Sequence, residues 1–131
     1  MVSLHKIGGV GHILSMMIYR KNRVLYSCDI PPQVKMGKVL FMHKGFGIVV
    51  SRFAVIGDNV QIQHGVTLGT QKTENDAPVI GDDCFIGAKA TILGNVHIGQ
   101  GAKIGANALV LKDVPAGATA VGVPAQVIKE G

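Results

Sequence analysis

Aliphatic residues recur every six positions through most of this chain: Val50, Ile56, Ile62 and Leu68, then Ile80, Ile86, Ile92, Ile98, Ile104 and Val110. Ile30, Met36 and Met42 keep the same step upstream. A helix repeats every ~3.6 residues and a strand every ~2, so neither sustains a period of six. A short fixed period marks a solenoid, and a six-residue period marks a parallel β-helix.

A second slot sharpens the pattern. Four residues after most anchors stands another apolar residue, as at Val34, Leu40, Ala54, Val60, Val66, Cys84, Ala90, Val96, Ala102, Ala108 and Val114. Gly57, Gly69, Gly81, Gly87, Gly99 and Gly105 directly follow their anchors, where a corner leaves little room for a side chain. Three hexads close a coil of eighteen residues. Stacked on that count, Met42, Ile62, Ile80 and Ile98 share one column, allowing for a two-residue excess between Met42 and Val50. The segment 30–115 then makes about five coils, roughly 24 Å tall. The register breaks at Lys44–Val49 and again at Gln71–Pro78. The second break is polar and lacks an anchor, so it protrudes as a loop, the usual place for binding residues on a rigid scaffold.

At 131 residues the chain makes one domain. Residues 4–22 read as a short helix carrying Leu4, Ile7, Ile13, Leu14, Met17 and Ile18, placed to cover the open end of the solenoid. The expected division is an N-terminal helical cap over 1–28, the β-helix over 29–115 and an extended tail over 116–131. A net charge of +5 invites a nucleic-acid reading. The basic residues are scattered, though, and aromatics make up only 5%, which excludes a basic stripe with stacking platforms. The apolar run Ile13–Tyr19 is too short to span a bilayer and lacks a signal-peptide cleavage pattern. No membrane span and a cytoplasmic location are expected. In that compartment Cys28 and Cys84 stay unbridged, and Cys84 serves as an inward packing residue.

The stretch from Asp29 to Ile128 resembles the hexapeptide acyltransferases, and within them the serine acetyltransferase group. The match rests on Gly47-Ile48-Val49-Val50, Val66-Thr67-Leu68-Gly69, Ile86 to Asn95, Ala102 to Ala106, Val110 to Pro115 and Gly122-Val123-Pro124-Ala125. The resemblance implies an all-β, left-handed parallel β-helix, a homotrimer and acetyl-CoA as donor. It also implies direct transfer from a thioester to a hydroxyl, with a His removing the hydroxyl proton and nearby donors stabilising the oxyanion.

Carried over residue by residue, Asp29 in Asp29-Ile30-Pro31-Pro32 matches the Asp that orients the base. Ungapped, His43 falls on the Asp of the family's Asp-His pair and Lys44 on its catalytic His. His43, Lys44 and His64 are thus the candidates for the base position. His43, inside the family's catalytic loop, is assigned as general base, and His64, set over Lys44 by the eighteen-residue count, as a lining of the acceptor pocket. The cofactor groove falls on Gly87, Ala88, Gly105 and Ala106, with Lys112, Val123 and Pro124 approaching the donor. His5, His12 and His97 have no assigned role.

The small-molecule acceptor is not written in any motif. The family's Arg-His pair in the protruding loop is Asp76-Ala77 here, and the large helical N-terminal domain of the serine enzymes has no counterpart in these residues. The loop offers Lys72 but no Arg, and its Glu74 and Asp76 disfavour a carboxylate. A sugar or polysaccharide hydroxyl is therefore expected, with Lys44 and Asp76 as substrate-binding residues. Free serine and a non-catalytic assembly module are the alternatives. The γ-type carbonic anhydrases share the fold but bind zinc with three His, and their sequence mark is two His five apart across consecutive hexads. No such pair exists here, so no metal is expected.

Overall fold

The structure, a computed structural model, describes residues 16–17, 28–41 and 46–129. The expected cap over 1–28 lies almost wholly outside them, as do His43 and Lys44. No helix among the described residues is long and apolar enough to cross a membrane.

Each hexad folds into a two- or three-residue strand and a corner, and three of them complete a triangular coil. The first coil holds β1 (Lys35–Met36), β2 (Val39–Phe41) and β3 (Val49–Val50). The second holds β4 (Val55–Ile56), β5 (Val60–Ile62) and β6 (Thr67–Gly69). The third holds β7 (Val79–Ile80), β8 (Phe85–Ile86) and β9 (Thr91–Leu93), and the fourth β10 (His97–Ile98), β11 (Lys103–Ile104) and β12 (Leu109–Val110). Stacking produces three parallel faces: β1-β4-β7-β10, β2-β5-β8-β11 and β3-β6-β9-β12. β13 (Thr119–Gly122) extends the second face in parallel, and β14 (Ala125–Lys129) turns back on it antiparallel. The fold is the left-handed β-helix that the resemblance implies. The tail expected to be extended is this hairpin.

Alternation decides what is buried. In β5 Val60 and Ile62 point inward and Gln61 outward. Inward residues stack rung upon rung: Ile62, Ile86 and Ile104 on the second face, and Leu68, Ile92 and Val110 on the third. All six are essentially inaccessible. Truncating such a side chain to Ala costs about 2–5 kcal/mol, so each rung depends on its two neighbours.

The column expected from an eighteen-residue count is not the one that forms. Ile62 pairs with Ile86, not Ile80, and Ile80 stands over Ile56 on the first face. The loop between β6 and β7 has the length of one hexad, so it shifts every later anchor by one face while leaving the six-residue phase intact. The structure consequently has about four coils rather than five. At the lower end Phe41, not Met42, lies beneath Ile62, because the step from Met36 to Phe41 is one residue short. The same slip turns Leu40 outward, 58% exposed, where the pattern placed it inside.

Candidate active site

The corner between the second and third faces gathers most of the residues that the sequence singles out. The amide of Gly65 donates to the Phe46 carbonyl (2.7 Å), that of Lys89 to the His64 carbonyl (2.9 Å) and that of Asn107 to the Ala88 carbonyl (2.9 Å). Phe46, His64, Ala88 and Ala106 therefore stand one above another along this edge, about 4.8 Å apart. His64 lies over Phe46 and not over Lys44, which corrects the expected stacking. The cause is the excess between Phe41 and Phe46, which is three residues longer than the step from Ile62 to His64 above it.

One slot earlier, Gln63, Gly87, Gly105 and Val121 form a second row. Gln63 reaches up one rung, where its Oε1 accepts the Ala88 amide at 3.1 Å. A Cβ on Gly87 would stand 2.6 Å from the Ala106 nitrogen, so only glycine lets these rungs close. The β13–β14 hairpin continues the edge upward: Ile104 pairs with Ala120, which brings Gly122 over Ala106 and sets Val123 and Pro124 at the turn. Gly87, Ala88, Gly105, Ala106, Val123 and Pro124 thus lie along one edge above His64. Ala88 and Ala106 project only methyl groups there, and Ala106 is exposed. Backbone flanked by such small side chains can be approached closely by an extended, amide-bearing ligand, and the pantetheine arm of coenzyme A fits that description.

Three predicted residues lie elsewhere. Asp29 is at the foot of the third face, paired with Val49, its amide donating to Ile48 and its carbonyl accepting from Val50 (2.8 Å each). Lys112 follows β12 and occupies the next edge, between the third and first faces. Asp76 is on that edge too, at the base of the protruding loop. Its Oδ2 accepts the Lys72 amide at 3.0 Å, closing the loop upon itself. Glu74 meets Arg52 at 3.6 Å. Within this chain both carboxylates are on the loop edge, not on the edge that bears His64.

Cys84 is buried and its thiol donates to the Gly99 carbonyl at 3.0 Å. Burial raises its pKa, the opposite of what a nucleophilic thiolate needs. Among the described residues no group of three His, Cys, Asp or Glu side chains could hold a metal ion.

Sequence reasoning passed over two residues on the edge, Gln63 and Lys89. Their signal is positional. Three residues past Ile62, Ile86 and Ile104 stand Gly65, Lys89 and Asn107, all with positive φ (71°, 61° and 62°). A lysine in a slot that otherwise takes Gly or Asn is conspicuous once the three hexads are aligned.

Comparison with known proteins agrees with the geometry. Residues 77–112 match the family described as bacterial transferase hexapeptide (six repeats). Serine acetyltransferase 4 of Arabidopsis thaliana is 43% identical over 127 residues, covering 95% of this chain and 36% of that protein. The crystal structure of serine acetyltransferase from Brucella abortus strain S19 superposes with a TM-score of 0.86 at 38% identity, covering 97% of this chain and 51% of that one. A serine acetyltransferase solved in complex with CoA gives 0.81 at 42% identity, covering 89% of this chain and 49% of that one. This chain spans about half or less of the length of these three proteins.

Proposed function

We propose that this hexapeptide-repeat chain, serine acetyltransferase-like in sequence and fold, is the catalytic β-helix of an acetyl-CoA-dependent O-acetyltransferase whose acceptor is L-serine. The observation that carries the reading is the similarity to serine acetyltransferases, at 38–43% identity over 89–97% of this chain. It runs through the edge that bears His64, Ala88 and Ala106.

The sugar acceptor favoured by the loop composition is set aside. Its argument was that Glu74 and Asp76 repel a carboxylate, and both are engaged within or beside their own loop. Serine, the alternative, agrees with the relatives.

In this reading His43 takes the serine hydroxyl proton as the oxygen attacks the thioester carbonyl. The tetrahedral oxyanion collapses, the C–S bond breaks, and the imidazolium returns the proton to the departing thiolate. Asp29 orients His43, His64 lines the acceptor pocket, and Lys44 is a further substrate-binding residue. Gly87, Ala88, Gly105 and Ala106 receive the pantetheine arm, with Val123 and Pro124 above. Lys112, one edge away, meets the donor's phosphates if a neighbouring copy is packed against the third face. A homotrimer supplies that neighbour and turns a convex edge into a cleft. Acetyl-CoA supply places the reaction in the cytoplasm.

The test is turnover. The full chain with acetyl-CoA and L-serine should release thiol and form O-acetylserine with kcat/KM above about 10⁴ M⁻¹s⁻¹, where ordinary enzymes begin. Acetylation of sugars in place of serine, or coenzyme A binding with no transfer to any hydroxyl, overturns the proposal.

A further inference from the structure

We propose that Lys89 is the cation that receives the carboxylate of the acceptor, an inference that rests on the serine reading above. Four observations converge on this residue.

The first is position. The Lys89 amide donates to the His64 carbonyl at 2.9 Å, so Lys89 sits one rung above His64 on the same edge. The second is direction. A Cβ built on Gly65 would meet the Lys89 Cγ at 3.0 Å. The aliphatic stem thus runs down over Gly65, toward the coil of His64 and away from the hairpin at the top. An ammonium carried that way serves the reacting end of a ligand lying along the edge, whereas phosphates of coenzyme A belong at the other end.

The third is backbone strain. Lys89 has φ +61°, in the left-handed region that disfavours an L side chain, and the rungs below fill the same slot with Gly65 (φ +71°) and Gly47 (φ +69°). Its side chain is exposed and packs into no core, so the fold does not require a lysine there. Strained side chains of this kind concentrate at ligand sites.

The fourth is charge. The other described cations lie elsewhere: Lys35 on the first face, Lys38 on the edge between the first and second faces, Arg52 against Glu74, Lys103 outward on the second face, Lys129 at the end of β14 opposite Thr119, and Lys72 and Lys112 on the edge of the protruding loop. Among the described residues, the edge that bears His64 carries no acidic side chain. An anion arriving beside His64 meets an uncompensated positive charge. Lysine is a compact point charge on a flexible stem, suited to a small carboxylate. It fills the role that the protruding loop, lacking Arg, cannot.

The experiment compares Lys89→Asn, Lys89→Arg and the unmodified full chain, with L-serine and with L-serinamide, which keeps the hydroxyl and amine but has no carboxylate. Asn already occupies the equivalent left-handed slot at Asn107 (φ +62°), so Lys89→Asn retains the fold. Lys89→Asn should raise KM for serine about tenfold or more, the scale of losing a hydrogen bond to a charged group. It should leave KM for acetyl-CoA and for serinamide unchanged, and Lys89→Arg should recover most of the loss. An unaltered serine KM, or a rise confined to acetyl-CoA, overturns the assignment while leaving the serine reading intact. Failure of the unmodified chain to form O-acetylserine overturns both.

Discussion

The Asp82 carboxylate accepts the backbone amide of Asp58, one coil below, at 2.8 Å. Asp58 in turn accepts the amide of Lys38 at 3.0 Å, so two aspartates tie three successive rungs along the edge between the first and second faces. Each bond satisfies a corner amide that the parallel ladder leaves over. Gly37 and Gly57 leave room for these bonds, since a Cβ at Gly37 would collide with the Asp58 side chain and one at Gly57 with the Asp82 side chain.

Asp82→Ala should therefore cost about 1–2 kcal/mol, the range for a charge-assisted bond to a backbone donor. Urea denaturation at neutral pH measures it. A change within error would mean that water replaces the carboxylate without loss.

Two small residues on the site edge should respond oppositely. A methyl at Gly87 meets the Ala106 nitrogen at 2.6 Å and the Ile104 carbonyl at 2.9 Å, both backbone atoms that cannot swing aside. Gly87→Ala should destabilise the coil by about 1–3 kcal/mol, as overpacking does. Ala106 is exposed, so Ala106→Phe should leave thermal unfolding unchanged and raise KM for acetyl-CoA. An unchanged KM removes Ala106 from the groove.

The catalytic assignment separates by kinetics. His43→Ala should lower kcat about 10²-fold or more, the scale of losing a general base. His64→Ala should act mainly on KM for serine. If His64→Ala abolishes turnover and His43→Ala does not, the two roles are exchanged.

Cys84 gives a pH signature. Burial holds its thiol pKa above 9.0, so the folded chain keeps a proton that the unfolded chain releases. The sign follows: this contribution to stability is complete below about pH 9 and is lost as pH rises through the higher folded value. Between pH 8 and 10 the wild type should lose more stability than Cys84→Ala, whose urea midpoint isolates this one group. Parallel pH slopes for the two proteins would contradict the assignment.

The hexads made the core of the solenoid legible, because an inward residue every six positions is a one-dimensional property. Ile86, Ile92, Ile98 and Ile104 are buried as their spacing requires. Which anchor stands over which is a different kind of fact. It depends on how many residues leave the coil between faces, and a loop one hexad long is invisible to the phase. The spacing pairs Ile62 with Ile80 for that reason, and His64 with Lys44 for another, the three-residue excess between Phe41 and Phe46 in the first coil. The edge residues Ala88 and Ala106 were found through resemblance, whereas Lys89 emerged only from its backbone angle and the direction of its stem.

The β13–β14 hairpin has a meaning beyond its place above the site. A stack of parallel rungs ends in a row of open hydrogen-bonding groups spaced to accept another parallel strand, and a second solenoid could extend it indefinitely. β14 runs the other way and covers β13, so the border on that face is of antiparallel type. A foreign rung arriving there finds the wrong polarity. Growth into a fibre is countered there by chain direction, together with Pro124 at the entry to β14 and Lys129 at its end.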